Sequence, residues 1–117
     1  MHERSLIRAL LRQVQQIADN NSPVRVVSIH VRIGEFAGVE SELLASAYDD
    51  LIRDTPLSGA ALDLAQVPLE GICDLCGSRF RIERFHFRCD ECGSVQLTIC
   101  GGEEMLLESV TIEETGP

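Results

Sequence analysis

Two Cys-x-x-Cys pairs, each followed at once by a glycine, constrain this chain more than anything else in it. They read Cys73-Asp74-Leu75-Cys76-Gly77 and Cys89-Asp90-Glu91-Cys92-Gly93, with twelve residues between Cys76 and Cys89. Each short turn aims two thiols at one point, and the glycine accepts the positive φ that so tight a turn demands. Four thiolates arriving from two such turns fill the tetrahedral shell of a zinc ion and leave no position open for water or substrate. A site built from Cys73, Cys76, Cys89 and Cys92 is therefore structural. Two disulfides or four unrelated core cysteines are the alternative reading, and the same ligands also suit iron for electron transfer.

Length decides what can surround such a knot. A chain of 117 residues has room for one ordinary domain, or for a small domain carrying a smaller metal-stapled module. Residues 73–100 hold few large aliphatic side chains, so that segment lacks the apolar surface to fold unaided, and bound metal would supply the missing stability. Five cysteines, an odd number, fit a reducing compartment in which thiols bind metal. No run of about 18 apolar residues offers a membrane span. The charged start MHERSLIR leads into an amphipathic pattern and not a signal peptide, so a cytoplasmic protein is expected. Ten basic against nineteen acidic residues give a formal charge of −9, which disfavours nucleic acid and anionic membranes and suits cations or basic proteins.

The spacing of apolar residues predicts the elements. Ile7, Leu10, Leu11, Val14, Ile17 and Ala18 recur every three or four positions and predict an amphipathic helix over residues 4–19, stopped by Asn20-Asn21-Ser22-Pro23. From residue 24 to 34 the period becomes two, with Val27, Ile29, Val31 and Ile33 opposite Ser28, His30 and Arg32, as in a strand with one buried face. Ser41 is placed to cap a second helix carrying Leu43, Leu44, Ala47, Tyr48, Leu51 and Ile52. A second strand runs over residues 62–67, weak ribbon arms over 79–88 and 95–99, and a last strand over 105–114. The parity of that last strand changes between Leu107 and Val110, which predicts a bulge near Glu108 and Ser109. The resulting expectation is an α+β fold: two helices packed on a three-stranded sheet, with an inserted zinc-ribbon-like module. Residues 1–69 and 102–117 form the main domain and 70–101 the module, hung from linkers near Glu70-Gly71 and Gly101-Gly102.

Several further side chains are candidate ligands. Cys100 stands outside both pairs and reads as a small residue of the ribbon; His86, three residues before Cys89, is a conceivable substitute ligand; His30 lies on the polar side of its strand. Met1-His2-Glu3 is of another kind. With histidine at position two, a free α-amine, a backbone nitrogen and the imidazole can close small chelate rings around one ion, and nitrogen-rich planar ligation suits Ni(II) or Cu(II) better than zinc. No Ser, His and acid form a recognisable catalytic motif and no Gly-rich phosphate loop precedes a helix, so an enzyme is not expected. A zinc-ribbon interaction or nucleic-acid-binding module is the rival reading. Over residues 73–100 four arginines balance four acids, whereas a nucleic-acid ribbon normally carries a basic excess.

Taken in order, Met1-His2-Glu3 with Ser5, Ile33-Gly34-Glu35, the two cysteine pairs and Gly102-Glu103-Glu104-Met105 make the chain similar to the HypA/HybF family, the nickel metallochaperones of nickel–iron hydrogenase maturation. The resemblance runs along nearly the whole chain. It implies nickel ligation by His2 and Glu3, with Glu40 as a further acidic candidate after the Gly-Glu loop, and structural zinc at the four cysteines. It also implies a nickel-loading GTPase and a hydrogenase large subunit as partners, urease as a possible second client, and a monomer or homodimer. Where the family commonly has a proline after the third cysteine, this chain has Asp90, which removes a rigid turn element but no ligand.

Overall fold

The computed structural model describes residues 2–115. In chain order its elements are α1 (His2–Asn20), β1 (Val24–Gly34), α2 (Ser41–Ile52), β2 (Ala61–Val67), β3 (Glu70–Cys73), β4 (Arg79–Arg81), β5 (Leu97–Gly101) and β6 (Met105–Glu114). Two compact units divide them: residues 2–32, 39–65 and 106–115 form the first, Ile33–Gly38 with Gln66–Met105 the second.

In the first unit the helical spacing becomes burial. Ile7, Leu10, Leu11, Val14 and Ala18 of α1 are buried while Arg8, Arg12 and Gln16 face solvent. The helix begins two residues earlier than its apolar period requires, so His2 lies in its first turn. It ends where the Asn21 side-chain amide donates to the Ile17 carbonyl at 2.7 Å, satisfying one of the acceptors that a helix end leaves over. Helix α2 packs on α1 through Leu44, Ala47, Tyr48 and Ile52. Leu43, expected in the core, is 52% exposed, because the buried stripe starts one residue later. Nor does Ser41 cap this helix. The N-cap is Glu40, in extended conformation, whose carbonyl accepts the Leu44 N–H at 2.9 Å.

A three-stranded sheet has the order β2-β1-β6. Along β1 and β6 the partners run in opposite senses, from Pro23 with Thr115 and Arg25 with Glu113 to Arg32 with Glu108, so this pair is antiparallel. Toward β2 they advance together, His30 on Asp63 and Glu35 on Val67. That pair is parallel, as a connection through a helix allows. Ile29, Val31 and Ile33 are buried as their alternation predicts, but earlier in β1 the buried residue is Val26 and Val27 is half-buried. In β6 both Leu107 and Val110 are half-buried, the change of parity expected there.

The second unit has its own sheet, order β4-β3-β5, antiparallel throughout. Its middle strand is the stretch around Glu70-Gly71, which from sequence reads as a linker. Gly71 is there for packing: a Cβ on it would lie 3.0 Å from the Cδ1 of Ile82, and Ile82 is only 2% exposed. The ribbon arm expected over residues 79–88 is a strand only at Arg79–Arg81, and the one expected over 95–99 is displaced to Leu97–Gly101. Within this unit three stretches of backbone cross. A Cβ on Gly34 would overlap the carbonyl of Gly102, and one on Gly102, at φ +88°, would lie 2.6 Å from the Leu69 Cα. The crossing is held by Gly34 N–H donating to the Glu104 carbonyl at 2.8 Å and Phe36 N–H to that of Gly102 at 2.7 Å.

Candidate metal centres

The two cysteine turns are built alike. In each, the glycine N–H donates to the carbonyl of the first cysteine, Gly77 to Cys73 at 2.9 Å and Gly93 to Cys89 at 2.8 Å. The N–H of that cysteine donates in turn to the serine after the glycine, Cys73 to Ser78 at 2.9 Å and Cys89 to Ser94 at 2.8 Å. Both glycines have positive φ, +74° and +76°. The repeat is thus Cys-x-x-Cys-Gly-Ser, and the serine, overlooked when only ligands are sought, closes each turn through its backbone.

These turns bring the Sγ atoms of Cys73, Cys76, Cys89 and Cys92 within 4.8 Å of one another, with Cys73 and Cys89 buried and Cys76 and Cys92 exposed. Cys73 stands 3.5 Å from Cys92 and Cys76 3.6 Å from Cys89. A tetrahedron with metal–sulfur bonds of about 2.3 Å has edges of about 3.8 Å, so the donor set fits a tetrahedral ion. All four cysteines are free thiols. Electrostatics agree with the fit. N–H donation from Cys76, aided by Leu75 and by the Cys92 and Cys76 thiols, outweighs burial and draws Cys73 down to about 6. At Cys76 the Ser78 amide also pulls down, but Cys89, burial and the other thiols prevail and push it up to about 12. The thiol of Cys73 ionises readily while those of Cys76 and Cys92 are held back, and a cation in their midst would favour the thiolate at each. Where four such thiolates hold zinc, the ion closes the site and crosslinks β3 to the second turn. Two candidates fall outside the cluster: His86 faces Asp90 at 3.7 Å, and Cys100 is exposed on β5.

The second set of candidate residues lies at the start of α1. His2 is exposed, and as the first residue of the helix its amide belongs to the turn whose N–H groups have no acceptor within the helix. Glu3 accepts the backbone N–H of Glu40 at 3.4 Å; its own amide and that of Glu40 hold its carboxyl below the ordinary value of 4.5. The Glu40 carboxylate makes no capping bond to α2. Among the described residues the cysteine quartet is the one cluster of three or more metal-binding side chains. His2, Glu3 and Glu40 are thus neighbours through a backbone amide and not a preassembled cage. The Met1 amine lies outside the described residues. A contact that sequence reasoning missed secures this turn: Arg4 Nη1 meets Asp50 Oδ2 at 2.8 Å, and this bond to Arg4 lowers the pKa of Asp50.

His30, by contrast, is tied into its sheet. Its Nδ1 is 3.0 Å from Asp63, and its Nε2 is 3.0 Å from both Ser28 and Thr111. The order of hydroxyl, imidazole and carboxylate resembles a nucleophile with its base. Here it links three strands, since Asp63 stands on β2 and Thr111 on β6, to either side of β1.

Comparison with known proteins bears on both centres. Residues 1–112 match the family described as hydrogenase/urease nickel incorporation, metallochaperone, hypA. This chain belongs to the HypA family. A hydrogenase maturation factor HypA of Nitrosospira multiformis is 36% identical over 115 residues, 98% of this chain and 100% of the relative. One from Alkalilimnicola ehrlichii is 34% identical over 113 residues, 97% and 100%. A solution structure of a HypA protein superposes with a TM-score of 0.76 at 26% identity, covering 97% of each chain. The fold is also that of the Ni metallochaperone HypA from Helicobacter pylori, TM-score 0.70 at 24% identity over 97% and 98% of the two chains. For this HypA-family chain the α+β fold with a zinc-ribbon-like, four-cysteine module is therefore shared with its relatives, and its family is one of nickel metallochaperones.

Proposed function

We propose that this chain takes up Ni(II) at its N-terminus through His2 and Glu3, with Glu40 as a further ligand, and hands it to the large subunit of a nickel–iron hydrogenase. A GTPase that helps load nickel would be a partner, in the cytoplasm. In this reading residues 1–69 and 102–117 carry nickel while 70–101 carry structural zinc on Cys73, Cys76, Cys89 and Cys92, in a monomer or homodimer. The observation that carries it is the Glu3–Glu40 contact beside an exposed His2. It supports a site open to solvent and only partly assembled, which an ion that must be passed on requires; a buried thiolate cage would retain it.

Calorimetric nickel titration of untagged protein tests this. His2→Ala is expected to lose nickel binding while zinc content and circular dichroism stay as in the wild type. Unchanged nickel affinity in that variant would refute the terminal site. An uncleaved N-terminal tag is expected to weaken binding by occupying the α-amine.

A further inference from the structure

Three of the four phenylalanines of this chain meet at the surface of the second unit. The Phe36 ring lies 5.4 Å from that of Phe85, tilted by 50°, and 6.4 Å from that of Phe87, edge-on. They are not that unit's core, which Leu69 and Ile82 supply at 1% and 2% exposure. Phe36, Phe85 and Phe87 remain 40%, 73% and 41% exposed. A cluster of rings that leaves so much apolar surface in water has the character of a docking patch.

The backbone supports the same reading independently. Arg84 and Phe85 have φ of +52° and +61°, and the His86 N–H donates to the Glu83 carbonyl at 2.9 Å. Two successive positive φ values inside such a turn are the province of Asn and Gly. An arginine and a phenylalanine held there are presented outward against local preference, and such strain collects at functional positions. Phe36 is set opposite them by its N–H bond to Gly102.

Charge selects the occupant. Over residues 79–88 four arginines face Glu83 alone, a net of +3 with His86 neutral, in a chain of −9. Arg81, Glu83, Arg84, His86 and Asp90 line an open depression of about 410 Å³. Arg81 is shared with Glu83 and His86 with Asp90, each at 3.7 Å, whereas Arg84 makes no ion pair among the described residues. We propose that Phe36, Phe85 and Phe87 with Arg81 and Arg84 form a docking surface for a short acidic segment of a partner protein, its apolar side chains on the rings and its carboxylates on the guanidiniums. A nucleic acid is the poorer fit, because Glu83 and Asp90 share the lining with the arginines and a long polyanion would have to pass both. The surface shares no residue with the nickel reading and stands or falls separately.

The probe is a short fluorescein-labelled peptide in which glutamates alternate with leucine and phenylalanine, titrated by fluorescence anisotropy into full-length, zinc-loaded protein. Phe85→Gly is the informative variant, since it removes the ring and suits the positive φ, so lost binding cannot be put down to lost folding. It and Arg84→Asn are each expected to weaken binding about tenfold or more, as anchors in an interface do, and the counterpart peptide with lysine for glutamate is expected not to bind. Unchanged affinity in both variants, equal binding of the lysine peptide, or tighter binding of an oligothymidylate of equal length would each overturn the proposal. Nickel titrations of the same variants are expected to match the wild type.

Discussion

Tyr48, the chain's one tyrosine, is 3% exposed, and its hydroxyl donates to the Ala60 carbonyl at 2.7 Å. Burial, then the neighbouring Asp49, pushes its phenol up to about 12 from an ordinary 10.0. Because the folded value is the higher, this contribution to stability is complete below pH 10 and is lost as pH rises toward 12, where only the unfolded chain ionises freely. Tyr48→Phe is expected to lower stability at pH 7 by about 1–2 kcal/mol, since a buried carbonyl loses its donor, and to flatten the alkaline fall. All ten basic residues are arginines, so no lysine titrates in that window. The Cys76 thiol, pushed up to about 12 without metal, does, and the comparison is therefore made on zinc-loaded protein, where bound thiolates carry no proton to lose. Urea midpoints at pH 7 and pH 11 read both effects; an identical alkaline loss in the variant would argue against this origin. At the N-terminus the Arg4–Asp50 pair holds the turn that bears His2. On the nickel reading, Arg4→Ala is expected to weaken nickel binding severalfold in calorimetry while leaving the zinc stoichiometry alone. No residue pattern announces that pair, because its members are 46 positions apart and only the packing of two helices brings them together. The cysteine quartet is legible for the opposite reason, since each half of it is a local turn.

Elements that bury one side inscribe that burial in their spacing, which is why α1, α2 and β1 can be read from Ile7 to Val14, Leu44 to Ile52 and Ile29 to Ile33. Strand β3 cannot. It is four residues long, too short for a period, and its Gly71 has the look of a break although it sits under Ile82. The backbone crossing at Gly34 is equally silent, since a glycine ending a strand usually means a turn. Here it means that no side chain fits. Gly34→Ala must displace the backbone of Gly102 and is expected to cost about 3 kcal/mol or more. Gly38→Ala meets open space but at φ +73°, and should cost about 1 kcal/mol. Thermal denaturation of the two variants separates these causes: a loss at Gly34 no larger than that at Gly38 would mean that the backbone of Gly102 gives way to the added methyl and the crossing is not a hard constraint.

At the scale of the molecule, stability comes from two unlike sources. Both helices and most large buried aliphatic residues, including Ile7, Val14, Ile29 and Leu44, belong to the first unit, which contains none of the four clustered cysteines. The second has short strands, and among its most deeply buried side chains are Cys73 and Cys89 themselves, each 1% exposed. On the zinc reading the ligands are also part of the core, and the unit would depend on the ion twice, for crosslinking and for allowing thiolates to lie together. Removing metal with a strong chelator, or replacing Cys76 with serine, is therefore expected to unfold the second unit first. Helical circular dichroism at 222 nm, which arises from α1 and α2, should persist while amide protection in β3 and β5 is lost. Simultaneous loss of both signals at one chelator concentration would show instead that the backbone passing from β1 into Gly34 makes the chain a single cooperative unit.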